Sequence, residues 1–162
     1  MKEQLFYGLA NKQEAVIITR KICDILGRGS NNNADQLLIE TAQKETLLGS
    51  FRDRHPHKHG VGLSQFDLIG FNDVKQRTRP HIAAKIYENF GIKLRHIEHR
   101  DLAFSPFLSL LWCRLFYMLI PEPIPTNIPL RADYWKKYYN TVKGAGTAQE
   151  YITCAKEIPV MY

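Results

Sequence analysis

The chain has 162 residues, enough for one domain with a substantial core, and its 44 % hydrophobic content is that of a globular protein rather than a disordered one. A formal net charge of +6 suits an anionic partner: nucleic acid, a lipid surface, or a bacterial envelope rich in carboxylates and phosphates. Cys23, Cys113 and Cys154 are odd in number, lack CxxC spacing and sit in apolar helical patterns. That argues for buried thiols made in a reducing compartment rather than a disulfide framework.

Residues 12–26 (KQEAVIITRKICDIL) place apolar side chains at 15, 18, 22, 25 and 26, a helical stripe with Asn11 as its cap and Gly27 and Gly29 as its stop. The opening stretch has no uninterrupted apolar run before a small-residue cleavage site, so no leader is expected there. A polar turn at 29–33 then leads into residues 34–48 (ADQLLIETAQKETLL), which lack Gly and Pro. Asn33 with Gln36 forms a variant capping box, and Gly49 is placed as a left-handed C-terminal cap. Leu38, Ala42, Glu45 and Leu48 step by four, three and three, which sets a carboxylate on an apolar stripe near the helix end. Burial and the negative end of the helix dipole both disfavour the charged form of such a carboxylate. A Glu kept protonated can serve as a general acid. The plainer alternative is a helix-end Glu that reaches water or pairs with Arg52 or Arg54. Glu40 lies five residues back, over a right angle round the helix, and need not share that environment.

Residues 50–60 are polar, basic and rich in histidine. The alternation of His55, His57 and His59 suits a solvated loop better than a metal site, because no Cys or acidic cluster completes a ligand set. Residues 61–66 form a turn or short strand in which Gly60 and Gly62 permit close backbone approach. A helix starts near Thr78 with Pro80 in its first turn and ends before Gly91, and a charged connector at 96–101 follows it. Residues 107–120, entered at Ser105-Pro106 and stopped by Pro121, make a buried central helix; the run includes Arg114 and is too short to span a bilayer. Four prolines stiffen the next loop, and residues 131–140 are helical again, with Trp135, Tyr138 and Tyr139 on one side and Lys136 and Lys137 opposite. Trp135 reads as core. Thr147 with Glu150 caps the last helix.

Three segments together carry a resemblance. Ala42-Gln43-Lys44-Glu45-Thr46, Gly62-Leu63-Ser64-Gln65-Phe66 and Tyr139-Asn140 resemble, in order and separation, the motifs of the lysozyme-like lytic transglycosylases: a helix ending in Glu-Ser, a Gly-Leu-Met-Gln turn and an Ala-Tyr-Asn-Ala-Gly segment. The run Tyr134 to Thr141 is similar to phage-encoded members, and the likeness covers about residues 35–152. Thr46 stands where the family has Ser, Ser64 where it has Met, and Thr141-Val142 where it has Ala-Gly.

The helical pattern leads to a mainly α fold of six or seven helices around a central buried helix, with minimal β. The resemblance implies that this is a single lysozyme-like domain over 1–162, with an N-terminal helix at 11–27 and a catalytic core at about 33–155. It further implies an enzyme that cuts the β-1,4 bond between N-acetylmuramic acid and N-acetylglucosamine in peptidoglycan. Glu45 would act as general acid and then base, and Thr46, Gly62, Leu63, Ser64, Gln65, Tyr139 and Asn140 would form the substrate cleft. The implied product is a 1,6-anhydro end, closed by the sugar's own 6-hydroxyl. No cofactor and no metal are implied, and peptidoglycan glycan strands are the partner. Without a leader, the chain would be a lysin released through a holin or a virion component that reaches the wall or periplasm from the bacterial cytoplasm.

Three other readings stay open. A muramidase would use the same Glu45 with Asp53 or Asp67 as second carboxylate. A glycan-binding virion or wall module would have the fold without the activity. A nucleic-acid-binding domain is the last, disfavoured because Lys and Arg are scattered rather than clustered.

Overall fold

The computed structural model describes residues 2–52 and 59–160. Among them are seven α-helices: α1 (Lys12–Leu26), α2 (Ala34–Thr46), α3 (Leu68–Arg77), α4 (Pro80–Phe90), α5 (Pro106–Met118), α6 (Ile128–Trp135) and α7 (Ala148–Lys156). Short 3₁₀ turns at Leu94–His96 and His99–Ala103 lie between α4 and α5, and one π-helical turn, Lys136–Asn140, extends α6. The only β pairing among the described residues is a single antiparallel bridge, Val61 with Phe66. The fold is mainly α with minimal β.

One hydrophobic core runs from Leu9 to Ala155. At its centre α5 buries Leu110, Leu111, Trp112 and Cys113 completely. The Trp112 ring stacks on Phe71 of α3 at 4.8 Å, and its Nε1–H donates to the Phe71 carbonyl at 3.2 Å. Helix α1 packs on α5 and α2, while α2 is sandwiched further against α7 and α5.

The ends of the helices follow local chemistry. Asn11 accepts from the Glu14 N–H at 2.9 Å, and Glu14 accepts in return from the Ala10 N–H at 2.7 Å. Ser105, Asn127 and Thr147 cap α5, α6 and α7 in the same way. Helix α3 was not signalled in the sequence. It buries only Phe71 and Val74, carries Gly70 in its first turn, and is started by Asp67, whose Oδ1 accepts from the Gly70 N–H at 2.6 Å.

Helix α2 departs from its expected form in three ways. Asn33 does not cap it; its amide donates instead to the Pro125 carbonyl at 2.7 Å, fastening the helix start to the proline loop. The helix is buried nearly all round its middle rather than along one stripe. It also ends at Thr46, so Leu48 reaches the core from a turn and not from the helix face. Leu47 and Leu48 both have φ of +49°, followed by Gly49 at +86°. Two consecutive leucines in the left-handed region cost roughly 1–2 kcal/mol each. The full burial of the Leu48 side chain offsets this.

Candidate functional site

Glu45 lies half-buried in the last turn of α2. Next to it Thr46 is buried, and its hydroxyl donates to the Leu63 carbonyl at 2.7 Å while also facing the Ala42 carbonyl at 3.2 Å. That bond pins the turn 62–65 against the end of α2. The turn is closed by Gln65 N–H to the Gly62 carbonyl and by the Val61–Phe66 bridge. Gly62, at φ of +81°, could not carry a side chain: a Cβ would sit 2.3 Å from the Leu102 carbonyl oxygen and 2.4 Å from Ser109 Oγ. Ser109 in turn accepts from the Leu63 N–H and donates to Leu102, so α5 also grips the turn.

The third segment arrives from the far end of the chain. Tyr139, on the π turn after α6, donates from its phenol to the Ser64 carbonyl at 2.5 Å. Its ring packs edge-on to Phe66 and Phe116, at 5.5 and 5.1 Å, and stacks on Tyr117 at 5.6 Å. Residues 46, 63–64 and 139 are thereby joined through two hydrogen bonds to adjacent carbonyls.

Several buried groups in this corner feel the Glu45 carboxylate. Burial pushes the Tyr139 phenol well above its usual range, with Cys113 and Glu45 adding to the shift. Tyr117 is raised well above its usual range by burial, Cys113 and Glu45, against the opposing hydrogen bond with Thr41 at 2.9 Å. The Cys113 thiol is raised by burial, with Glu45 contributing. Two phenols and a thiol thus stay uncharged at neutral pH, buried within reach of the Glu45 carboxylate.

Comparison with protein families, curated proteins and solved structures finds no match. The site therefore rests on its own geometry. Leu63 and Ser64 are wholly buried, so they present backbone rather than side chains to the corner. Gln65 has φ of +53°, and its amide donates back to the Gly62 carbonyl at 2.8 Å and to the Tyr7 hydroxyl at 3.4 Å. Asn140 is engaged elsewhere: it accepts from Lys136 Nζ at 2.6 Å and packs against the loop at Gly144 and Gly146. Lys136 also donates to the Gly144 carbonyl at 3.0 Å, so this lysine braces the loop.

Glu40 does not share the environment of Glu45: it is the more deeply buried of the two α2 carboxylates, at 1 % exposure. It is held by Arg131 through bonds of 2.6 and 2.9 Å and by the Tyr151 phenol at 2.8 Å. Neither Arg131 nor Tyr151 was marked as its partner, because the contacts span 91 and 111 residues. His99, placed in a solvated connector, is half-buried: a ring nitrogen lies 2.7 Å from the Phe66 carbonyl, and the ring packs on Phe71 at 5.4 Å.

Asp53, Arg54, His55 and His57 lie outside the described residues. His59 is exposed, and among the described residues no group of three His, Cys, Asp or Glu could hold a metal ion. Arg52 sits over the Phe6 ring, 5.9 Å from its centre. Among the described residues no helix is long and apolar enough to cross a membrane.

Proposed function

We propose that this chain cleaves the β-1,4 bond between N-acetylmuramic acid and N-acetylglucosamine in peptidoglycan, with Glu45 as general acid and then general base. The observation that carries the reading is the convergence of three separated motifs: Thr46 beside Glu45, the 62–65 turn, and Tyr139, joined through the carbonyls of Leu63 and Ser64. Two ties, from segments 17 and 75 residues away, fix the backbone beside a half-buried carboxylate.

The chemistry asked of Glu45 is a proton given to the leaving glycosidic oxygen and then recovered from the attacking hydroxyl. Neutral phenols and a thiol in its neighbourhood suit that cycle, because no second fixed anion is added to the corner by them. Asp67, a candidate second carboxylate, is engaged as the cap of α3 and is exposed. The motifs at 45–46, 62–65 and 139 resemble those of the route in which the 6-hydroxyl of the sugar is the nucleophile, that of a lytic transglycosylase. A lysin or virion-borne wall enzyme is the corresponding biological role.

The test is clearance of purified cell walls with mass analysis of the released fragments. The expected fragments end in 1,6-anhydro-N-acetylmuramic acid, lighter by one water, about 18 mass units, than hydrolytic ends. Reducing ends alone, with Asp67→Asn or Asp53→Asn inactive, would make the protein a muramidase. Wall binding without fragments would leave a glycan-binding module.

A further inference from the structure

At the opposite end of α2 lies a cavity of about 240 Å³ between the turn after α1, the end of α5 and the proline loop. Its lining includes Arg114, Tyr117, Tyr134, Ile120, Ile124 and Glu122. Arg114 is only 5 % exposed. Its Nε donates to the Gly27 carbonyl at 3.1 Å, and it forms no ion pair among the described residues. The Gly27 carbonyl belongs to the negative end of α1, which offsets part of the guanidinium charge. Both terminal nitrogens are left without a protein acceptor among the described residues.

A buried guanidinium is ordinarily matched by a carboxylate, and the same fold provides the example in Arg131, bonded twice to Glu40. Arg28, close by, is likewise paired with Asp24 at 2.7 Å. Arg114 differs by having a cavity where a carboxylate would be. The phenols in the wall are not substitutes: the Tyr134 hydroxyl donates to the Glu122 carbonyl at 3.0 Å, and that of Tyr117 is bonded to Thr41. The remaining wall is mixed, with Ser30 and backbone of the turn after α1 on one side and Ile120, Ile124 and the adjoining prolines on the other.

We infer that this cavity binds a small carboxylate, its two oxygens facing the terminal nitrogens of Arg114 and its apolar remainder against Ile120 and Ile124. A planar two-oxygen anion matches the guanidinium fork better than a tetrahedral one in a cavity with a single cation. The exposed carboxylate of Glu122 at the rim works against the anion and weakens binding. The proposal does not depend on the activity assigned to Glu45.

The experiment follows the Arg114 Nε–H resonance by two-dimensional ¹H–¹⁵N NMR while the whole protein is titrated with benzoate, benzamide or inorganic phosphate. Benzoate should move the resonance saturably, and benzamide should not. Glu122→Gln should tighten benzoate about two- to five-fold, as removal of one exposed charge does. Arg114→Met should abolish binding; if that variant does not fold, the Glu122→Gln shift carries the test. A titration with N-acetyl-dialanine distinguishes a peptide C-terminus from a free acid, tighter binding of either naming the source. Equal response to benzamide, a response to phosphate without benzoate, or an unmoved resonance would each overturn the assignment.

Discussion

Glu40 and Glu45 are five residues apart on one helix and occupy opposite chemical situations. Glu40 is sealed in the core and all its charge is answered, by two bonds from Arg131 and one from Tyr151. Glu45 is half-buried in the final turn, where the Tyr117 and Tyr139 phenols and the Cys113 and Cys154 thiols feel its charge. The difference teaches that burial alone does not mark a reactive carboxylate. A carboxylate sealed in the core by an arginine and a phenol is an element of the fold, whereas one at a helix end with access to solvent is able to exchange a proton.

The largest expected effect lies on the Glu45 side of the pair. Glu45→Gln keeps the shape and removes the transferable proton, so wall lysis should fall by roughly 10²–10⁴-fold or more while the unfolding midpoint hardly moves. Turbidity clearance and a urea melt on the same preparation check both halves. Exposed Glu88→Gln is the matched control. Retained lysis would erase the distinction between the two carboxylates.

Glu40→Gln should do the reverse. It leaves the Arg131 guanidinium buried against an uncharged amide, and breaking one partner of a buried pair costs about 3–5 kcal/mol. Denaturant unfolding should show that loss, and any fall in lysis should track the folded fraction. A fully stable but inactive Glu40→Gln variant would transfer the catalytic role to the buried end of α2.

The smallest effect sharpens the idea that the rest of the core is neutral. Burial pushes the Cys23 thiol from 9.0 up to about 11, so the folded state keeps its proton where the unfolded chain loses it. That contribution is complete below about pH 9 and disappears as pH rises from about 9 to 11, a loss of roughly 2–3 kcal/mol. Cys113 and the buried phenols of Tyr117, Tyr139 and Tyr151 add in the same direction at higher pH. Urea midpoints at pH 7, 9 and 10.5 should decline in that order. A flat profile would mean that these groups are better hydrated than their burial implies.

Much of the helical frame was legible because its signals are local. Asn11 and Gly27 bracket α1, Pro80 and Gly91 bracket α4, Ser105-Pro106 opens α5, and Thr147 opens α7, each acting within a turn of where it stands. Helix α3 escaped notice because only two of its residues are buried, too few for a periodic stripe. At Asn33 the local rule failed for a physical reason: the amide found carbonyls in a loop more than 90 residues away and left the cap position.

The candidate site divides along the same line. The residue types at 45–46, 62–65 and 139–140 were visible in the sequence, and so was the chance that they act together. Which of them face the carboxylate was not. Tyr139 reaches the 62–65 turn, whereas its neighbour Asn140 turns to Lys136 and the 144–146 loop; the π-helical turn that carries both was not expected. Sequence by itself determined the caps of α1, α5 and α7, the helix-breaking glycines and prolines, and the apolar content of α5, since each depends on neighbours within about four residues. Only the tertiary structure decided that Glu40 pairs with Arg131 and Tyr151 and that Thr46 and Tyr139 hold adjacent carbonyls of one turn. It alone also left Arg114 buried with a cavity in place of an acid. Partners separated by 17 to 111 residues are chosen by packing of the whole core, and no local pattern records that choice.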